Sequence, residues 1–198
     1  MKPQLETRGL NLVALGHFTP QMFHPSWFAL QNLINQQEAE SAEIQLIHPD
    51  AAIFQIDWLQ VKITRERFQV ATLQEPYFEA LRDFAIGAFS ILKYTPLTAL
   101  GINHEFTYSV ATEKAWHKVG DTIAPKQEWA DVLTKPGIRS FIMEGERTDQ
   151  FNGYIRVKIE PIDTINPIRY MIMIEVNDHY DLVSTNISRL KILLLQIN

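Results

Sequence analysis

The chain has 198 residues, of which 46% are hydrophobic and 21% charged; its formal net charge is −5 and it holds no cysteine. These values place it among folded globular proteins and exclude collagen-like and disordered classes. The missing cysteines exclude thiolate nucleophiles, cysteine-based zinc sites, iron–sulfur clusters and disulfides. A chain of this length buries enough surface to fold without a metal or a crosslink.

Residues 10–18 read as a first strand. The apolar run Leu10–Gly16 is short and interrupted by Asn11, which fits a strand better than a secretory signal. No stretch approaches the roughly 20 apolar residues of a membrane span. His24-Pro25-Ser26 opens a helix, because proline suits a first turn. Trp27, Leu30, Leu33 and Ile34 then recur at helical spacing, and the helix is expected to fade at Gln36-Gln37-Glu38.

Three strands are expected next: Ile44–His48, Ala52–Thr64 and Arg67–Leu73. In the middle one the apolar parity switches between Trp58 and Leu59. A β-bulge near Asp57, or burial on both faces, would reconcile that switch with one strand. Residues 75–94 form the clearest helix: Phe78, Leu81, Ala85, Ala88, Phe89 and Leu92 share a stripe, and Pro96 stops it.

A second series follows. Thr98–Val110 is a long strand; Thr112 caps a helix through Trp116 and Val119; and Pro125 starts a short helix with Trp129, Val132 and Leu133. Ile138–Arg147, Tyr154–Pro161 and Arg169–Asn177 are strands, and a helix runs from Ser184 with Ile187, Leu190, Leu194 and Ile197 in one stripe. The expected fold is one α+β domain over residues 1–198, a largely antiparallel sheet covered by helices. Its halves, 10–94 and 98–198, share the order of a β-α-β-β-β-α repeat.

Nucleotide-binding glycine loops and the H-E-x-x-H and G-x-S-x-G signatures are absent. No cofactor and no metal site is expected. His104 lies among Leu100, Ile102, Phe106 and Tyr108, as a core-facing histidine does. His117 follows Trp116, a pairing suited to a buried indole or to a stacking platform. Asp178, His179 and Asp181 gather at the end of the last strand, as a capped turn or as a catalytic site. Tyr154, Arg156 and Lys158 line one strand face. With Arg139 and Arg169 they offer a binding surface, or an ordinary solvated face whose cations pair with Glu144 or Glu175.

Phe68-Gln69-Val70-Ala71-Thr72, Glu75-Pro76-Tyr77-Phe78-Glu79-Ala80-Leu81 and Leu97-Thr98-Ala99-Leu100-Gly101-Ile102-Asn103 together resemble an uncharacterised family of sporadically distributed bacterial proteins. The resemblance spans residues 44–177. Ala99 stands where that family usually has arginine, and His104 follows Asn103. The resemblance implies a bacterial, cytoplasmic protein and no particular activity.

The functional expectation is a non-enzymatic binding or interaction protein that self-associates. Its grounds are the missing catalytic motifs, the mixed sheet face and the apolar terminal helix. A homodimer and a protein partner are the expected assemblies, without membrane attachment. The alternatives are a hydrolase built on the His/carboxylate cluster, and nucleic-acid binding through the basic sheet face. The acidic balance argues against the latter.

Overall fold

The computed structural model describes residues 2–165, 168–182 and 187–197. One nine-stranded sheet organises it, in the order β2-β3-β4-β5-β1-β6-β9-β8-β7, with every neighbouring pair antiparallel. The strands are β1 (Gln4–Gly16), β2 (Glu43–Ile47), β3 (Ala51–Gln55), β4 (Gln60–Thr64), β5 (Arg67–Thr72), β6 (Leu97–Val110), β7 (Phe141–Glu146), β8 (Gly153–Ile165) and β9 (Ile168–Asp181). The helices are α1 (Pro25–Leu30), α2 (Gln36–Glu40), α3 (Phe78–Ile91), α4 (Glu113–Ile123) and α5 (Ile187–Leu194). The α+β class and the antiparallel sheet expected from the sequence are both present. None of the described helices is long and apolar enough to cross a membrane.

The sheet has a helix-covered face and an open one. Alternation puts Leu10, Leu12 and Ala14 of β1 on the covered face, level with His104, Ile102 and Leu100 of β6. Helix α3 buries Phe78, Leu81, Phe84, Ala85, Ala88 and Phe89 against this face. Aromatic rings fill the space beneath α1. Phe28 lies 5.2 Å from Phe84 and 5.7 Å from Phe54, and Phe68 lies 5.1 Å from Phe89. Such ring pairs add roughly 0.5–1.5 kcal/mol each beyond the area they bury.

Several expectations change. Ala52–Thr64 is a hairpin and not one bulged strand: β3 and β4 pair with Phe54 opposite Val61, and Ile56 N–H donates to the Leu59 carbonyl at 2.9 Å. The parity switch at Trp58-Leu59 is therefore the signature of a tight turn, which brings both apolar sets onto the covered face. The polar run Gln36-Gln37-Glu38 begins helix α2 and does not end α1. Asn35 and Glu38 form a reciprocal capping box there, which stabilises an otherwise polar start. Strand β9 continues through Asp181, past the expected end at Asn177.

The expected start of the last helix at Ser184 lies outside the described residues. Within α5 and just beyond it, Leu190, Leu193, Leu194 and Ile197 are buried in the core, so its apolar stripe is covered by its own chain. Ile192 and Leu195 face outward.

Phe28 is fully buried between α3 and the sheet. Phe28→Ala should lower stability by about 3–5 kcal/mol, read from the midpoint shift in urea denaturation.

Candidate functional site

Among the described residues, α4 is the one long helix that buries none of its side chains. Thr112 starts it, its hydroxyl accepting from Ala115 N–H at 3.2 Å. Trp116 pins it to the sheet by donating its indole N–H to the Met171 carbonyl at 2.9 Å. The chain then makes a short 3-10 turn, Lys126–Trp129, and passes Lys135, which has a left-handed φ of 54°. It bends at Thr134-Lys135, and not at the expected turn Pro136-Gly137, before entering β7.

This layer does not close on the sheet. A cavity of about 630 Å³ separates them. Trp116, Val119 and Ile123 of α4 form one wall, Trp129 and Leu133 another, and Phe141, Ile159, Pro161 and Ile172 the floor. The volume falls in the range of small-molecule sites, about 300–1,000 Å³, which are typically apolar with a few polar groups. Here the polar groups are His117, Asp121, Lys126, Lys135, Arg139 and Ser140. Lys126 is neutralised by Asp121 at 2.9 Å. Lys135 and Arg139 form no ion pair with any described residue, so the cavity carries an excess of positive charge.

A second cluster sits near the end of β9 on the covered face. Arg147, with a side chain only 5% exposed, donates to Asp178 at 3.0 Å, to Asp149 at 2.5 Å and to the Tyr180 hydroxyl at 3.1 Å. Its guanidinium also lies 3.9 Å from the centre of the Tyr180 ring. The Asp149 hydrogen bonds, opposed by desolvation, raise the Arg147 pKa further above its usual value. The same hydrogen bonds hold Asp149 below the usual carboxylate range. Burial and the nearby Asp178 push Tyr180 up. Gly153 makes the connection possible: its φ is +136°, and a Cβ there would lie 2.0 Å from the His179 carbonyl oxygen.

The expected catalytic trio is divided by strand alternation. Asp178 faces the helices and pairs with Arg147, whereas His179 and Asp181 face the open side, 3.4 Å apart. His179 stacks on Tyr154, with ring centres 4.4 Å apart. The expected binding residues are divided as well. Tyr154, Arg156 and Lys158 share the open face, with Arg156 held by Glu144 at 2.6 Å and Lys158 by Glu160 at 2.8 Å. Arg139 borders the cavity, and the side chain of Arg169 lies outside the described residues. His104 faces the covered side, where burial, reinforced by Arg8 and opposed by Asp178, lowers its pKa.

The cavity is what the sequence reading missed. Its signal was the spacing of Trp116, Val119, Ile123, Trp129 and Leu133 in a stretch with few strands to cover them. Also missed was an amide ladder on the open face. Asn11, Asn103 and Asn177 are level across β1, β6 and β9; Asn103 donates to the Asn11 carbonyl at 3.0 Å, and Asn177 donates to the Asn103 side-chain oxygen. Among the described residues, no three His, Asp or Glu side chains group to hold a metal ion.

Compared with known proteins, the sequence matches no family model and no curated protein.

Two outcomes test this geometry. A double-mutant cycle of Arg147→Ala and Asp178→Ala should give a coupling of about 1–3 kcal/mol in thermal or urea unfolding. The lowered pKa of His104 means that the unfolded chain takes up its proton first. Its contribution to stability is therefore complete above the unfolded value of 6.5 and is lost as the pH falls through 6.5 toward the folded value. Unfolding midpoints measured between pH 8 and about 5 should show this loss, and His104→Phe should flatten it.

Proposed function

We propose that this chain is a cytoplasmic, non-enzymatic binding protein whose cavity takes an amphipathic ligand with an apolar body and an anionic end. The carrying observation is the gap of about 630 Å³ beneath α4, walled by Trp116, Trp129 and aliphatic side chains, with Lys135 and Arg139 free of ion pairs to described residues. An apolar ligand would complete the burial that α4 lacks. A carboxylate or phosphate would neutralise the two cations.

The other readings have less support. Separation of Asp178 from His179 and Asp181 leaves a hydrolytic site without convergent groups. Nucleic-acid binding through the open face would compete with the in-plane ion pairs of Arg156 and Lys158. The resemblance to the sporadically distributed bacterial family remains part of this reading and names no ligand.

We also infer that the halves descend from one β-α-β-β-β-α unit. Each begins with a strand at the sheet centre, β1 or β6. Each then passes through helix and returns through strands that step inward to pair with that first strand, ending in α3 or α5. Strand β2 is an addition to the first half.

Dodecanoate is a suitable probe, because its chain fits the apolar walls and its carboxylate the cations. Titration should change tryptophan emission saturably. Arg139→Ala should weaken binding about tenfold, the loss of one charge-assisted hydrogen bond. Gly120→Leu, which fills the cavity from the α4 wall, should abolish it. No saturable change in the wild-type protein would overturn the ligand proposal.

A further inference from the structure

An open sheet leaves two outer strands, here β2 and β7. Each offers a row of N–H and C=O groups to any strand that approaches, and proteins usually guard such edges with bulges, lysines or prolines. The β2 edge has such a guard: its pairing with β3 is broken by a register shift between Ile44 and Leu46. The β7 edge has no such break; its charged residues are Glu144, which Arg156 neutralises, and Glu146. It pairs with β8 residue for residue, from Phe141–Ile159 to Glu146–Tyr154, without a shift. It contains no lysine, arginine or proline. It also exposes Ile142 (57%) and Met143 (62%), which alternation places on opposite faces.

We propose that β7 is an interface for a second copy of this chain, pairing antiparallel about a two-fold axis at Met143 and joining the two sheets into one. This stands apart from the cavity ligand and depends on none of it. A two-fold axis normal to the sheet keeps each face on its own side, so only residues of equal parity lie opposite each other. An axis at Glu144 would set two carboxylates directly opposite, a destabilising pair. An axis at Met143 avoids that and still pairs most of the strand. Met143 then meets its own copy, Phe141 lies across from Gly145 of the partner subunit, and Ile142 across from Glu144 of the partner subunit.

Local geometry suits that register. A Cβ at Gly145 would meet nothing within 4 Å, which leaves room for a phenyl ring. Glu144 is already neutralised by Arg156 of its own chain at 2.6 Å, so its carboxylate can lie beside an isoleucine without an unpaired charge.

Because the chain has no cysteine, an introduced one is the sole thiol. Under mild oxidation Met143→Cys should form a disulfide-linked dimer on a non-reducing gel. Glu144→Cys should not: two positions of offset along the strand put the paired Cα atoms roughly 8 Å apart, beyond disulfide reach. Light scattering should give the wild type twice its chain mass of 22.9 kDa. Met143→Lys, folded by circular dichroism, should give the single-chain mass. A wild-type protein that stays at the single-chain mass at millimolar concentration overturns the interface. A dimer in which Met143→Cys crosslinks no better than Glu144→Cys overturns the register, and with it the proposal. Ligand titration reads neither result, so failure here leaves the cavity reading intact.

Discussion

The antiparallel seam between β1 and β6 is the contact on which the rest of the molecule depends. These long strands pair from Gln4–Ser109 to Gly16–Leu97 and, among the described residues, are the only direct strand pairing between the halves. Leu10, Leu12, Leu100 and Ile102 along the seam are nearly inaccessible to water. Burial of this kind is worth roughly 25 cal/mol per Å² of apolar surface. It also fixes register, since a slip of one residue would turn those side chains to the open face.

From that seam the halves diverge in how well their sheet is covered. On the first-half side, α1 and α3 meet the strands through a dense aromatic cluster, and Ala52, Leu59 and Ile63 are fully buried. On the other side, α5 packs against α3 and joins the same core as Tyr180 and Leu182, leaving α4 and the segment after it to cover the outer strands. Eleven residues with one indole hydrogen bond to β9 do not fill that space. The cavity follows from this unequal cover, and so does the exposure of β7 at the sheet's outer end.

Periodicity made most elements legible. The stripe from Phe78 to Phe89 marked α3, and alternating Tyr154, Arg156 and Lys158 marked a face of β8 correctly. Local signals failed where a turn imitated a strand. Ile56 to Leu59 carries no glycine, so the β3–β4 hairpin looked like one strand whose apolar face switches. They failed again at Gln36-Gln37-Glu38, where a capping box starts a helix that hydrophobic pattern does not reveal.

The site was less legible, for a physical reason. Asp178, His179 and Asp181 are close in sequence, but a strand sends neighbours to opposite faces, so Asp178 joins Arg147 while the other two join Tyr154 on the far side. Conversely, Trp116, Arg139 and Ile159 are far apart in sequence and meet at one cavity. The sequence by itself determined the class, the absence of cysteine chemistry, the core stripes and most strand faces, because these follow from composition and period. Tertiary structure alone decided the strand order, the cavity beneath α4 and the open β7 edge, because these depend on which elements run out of partners to cover them.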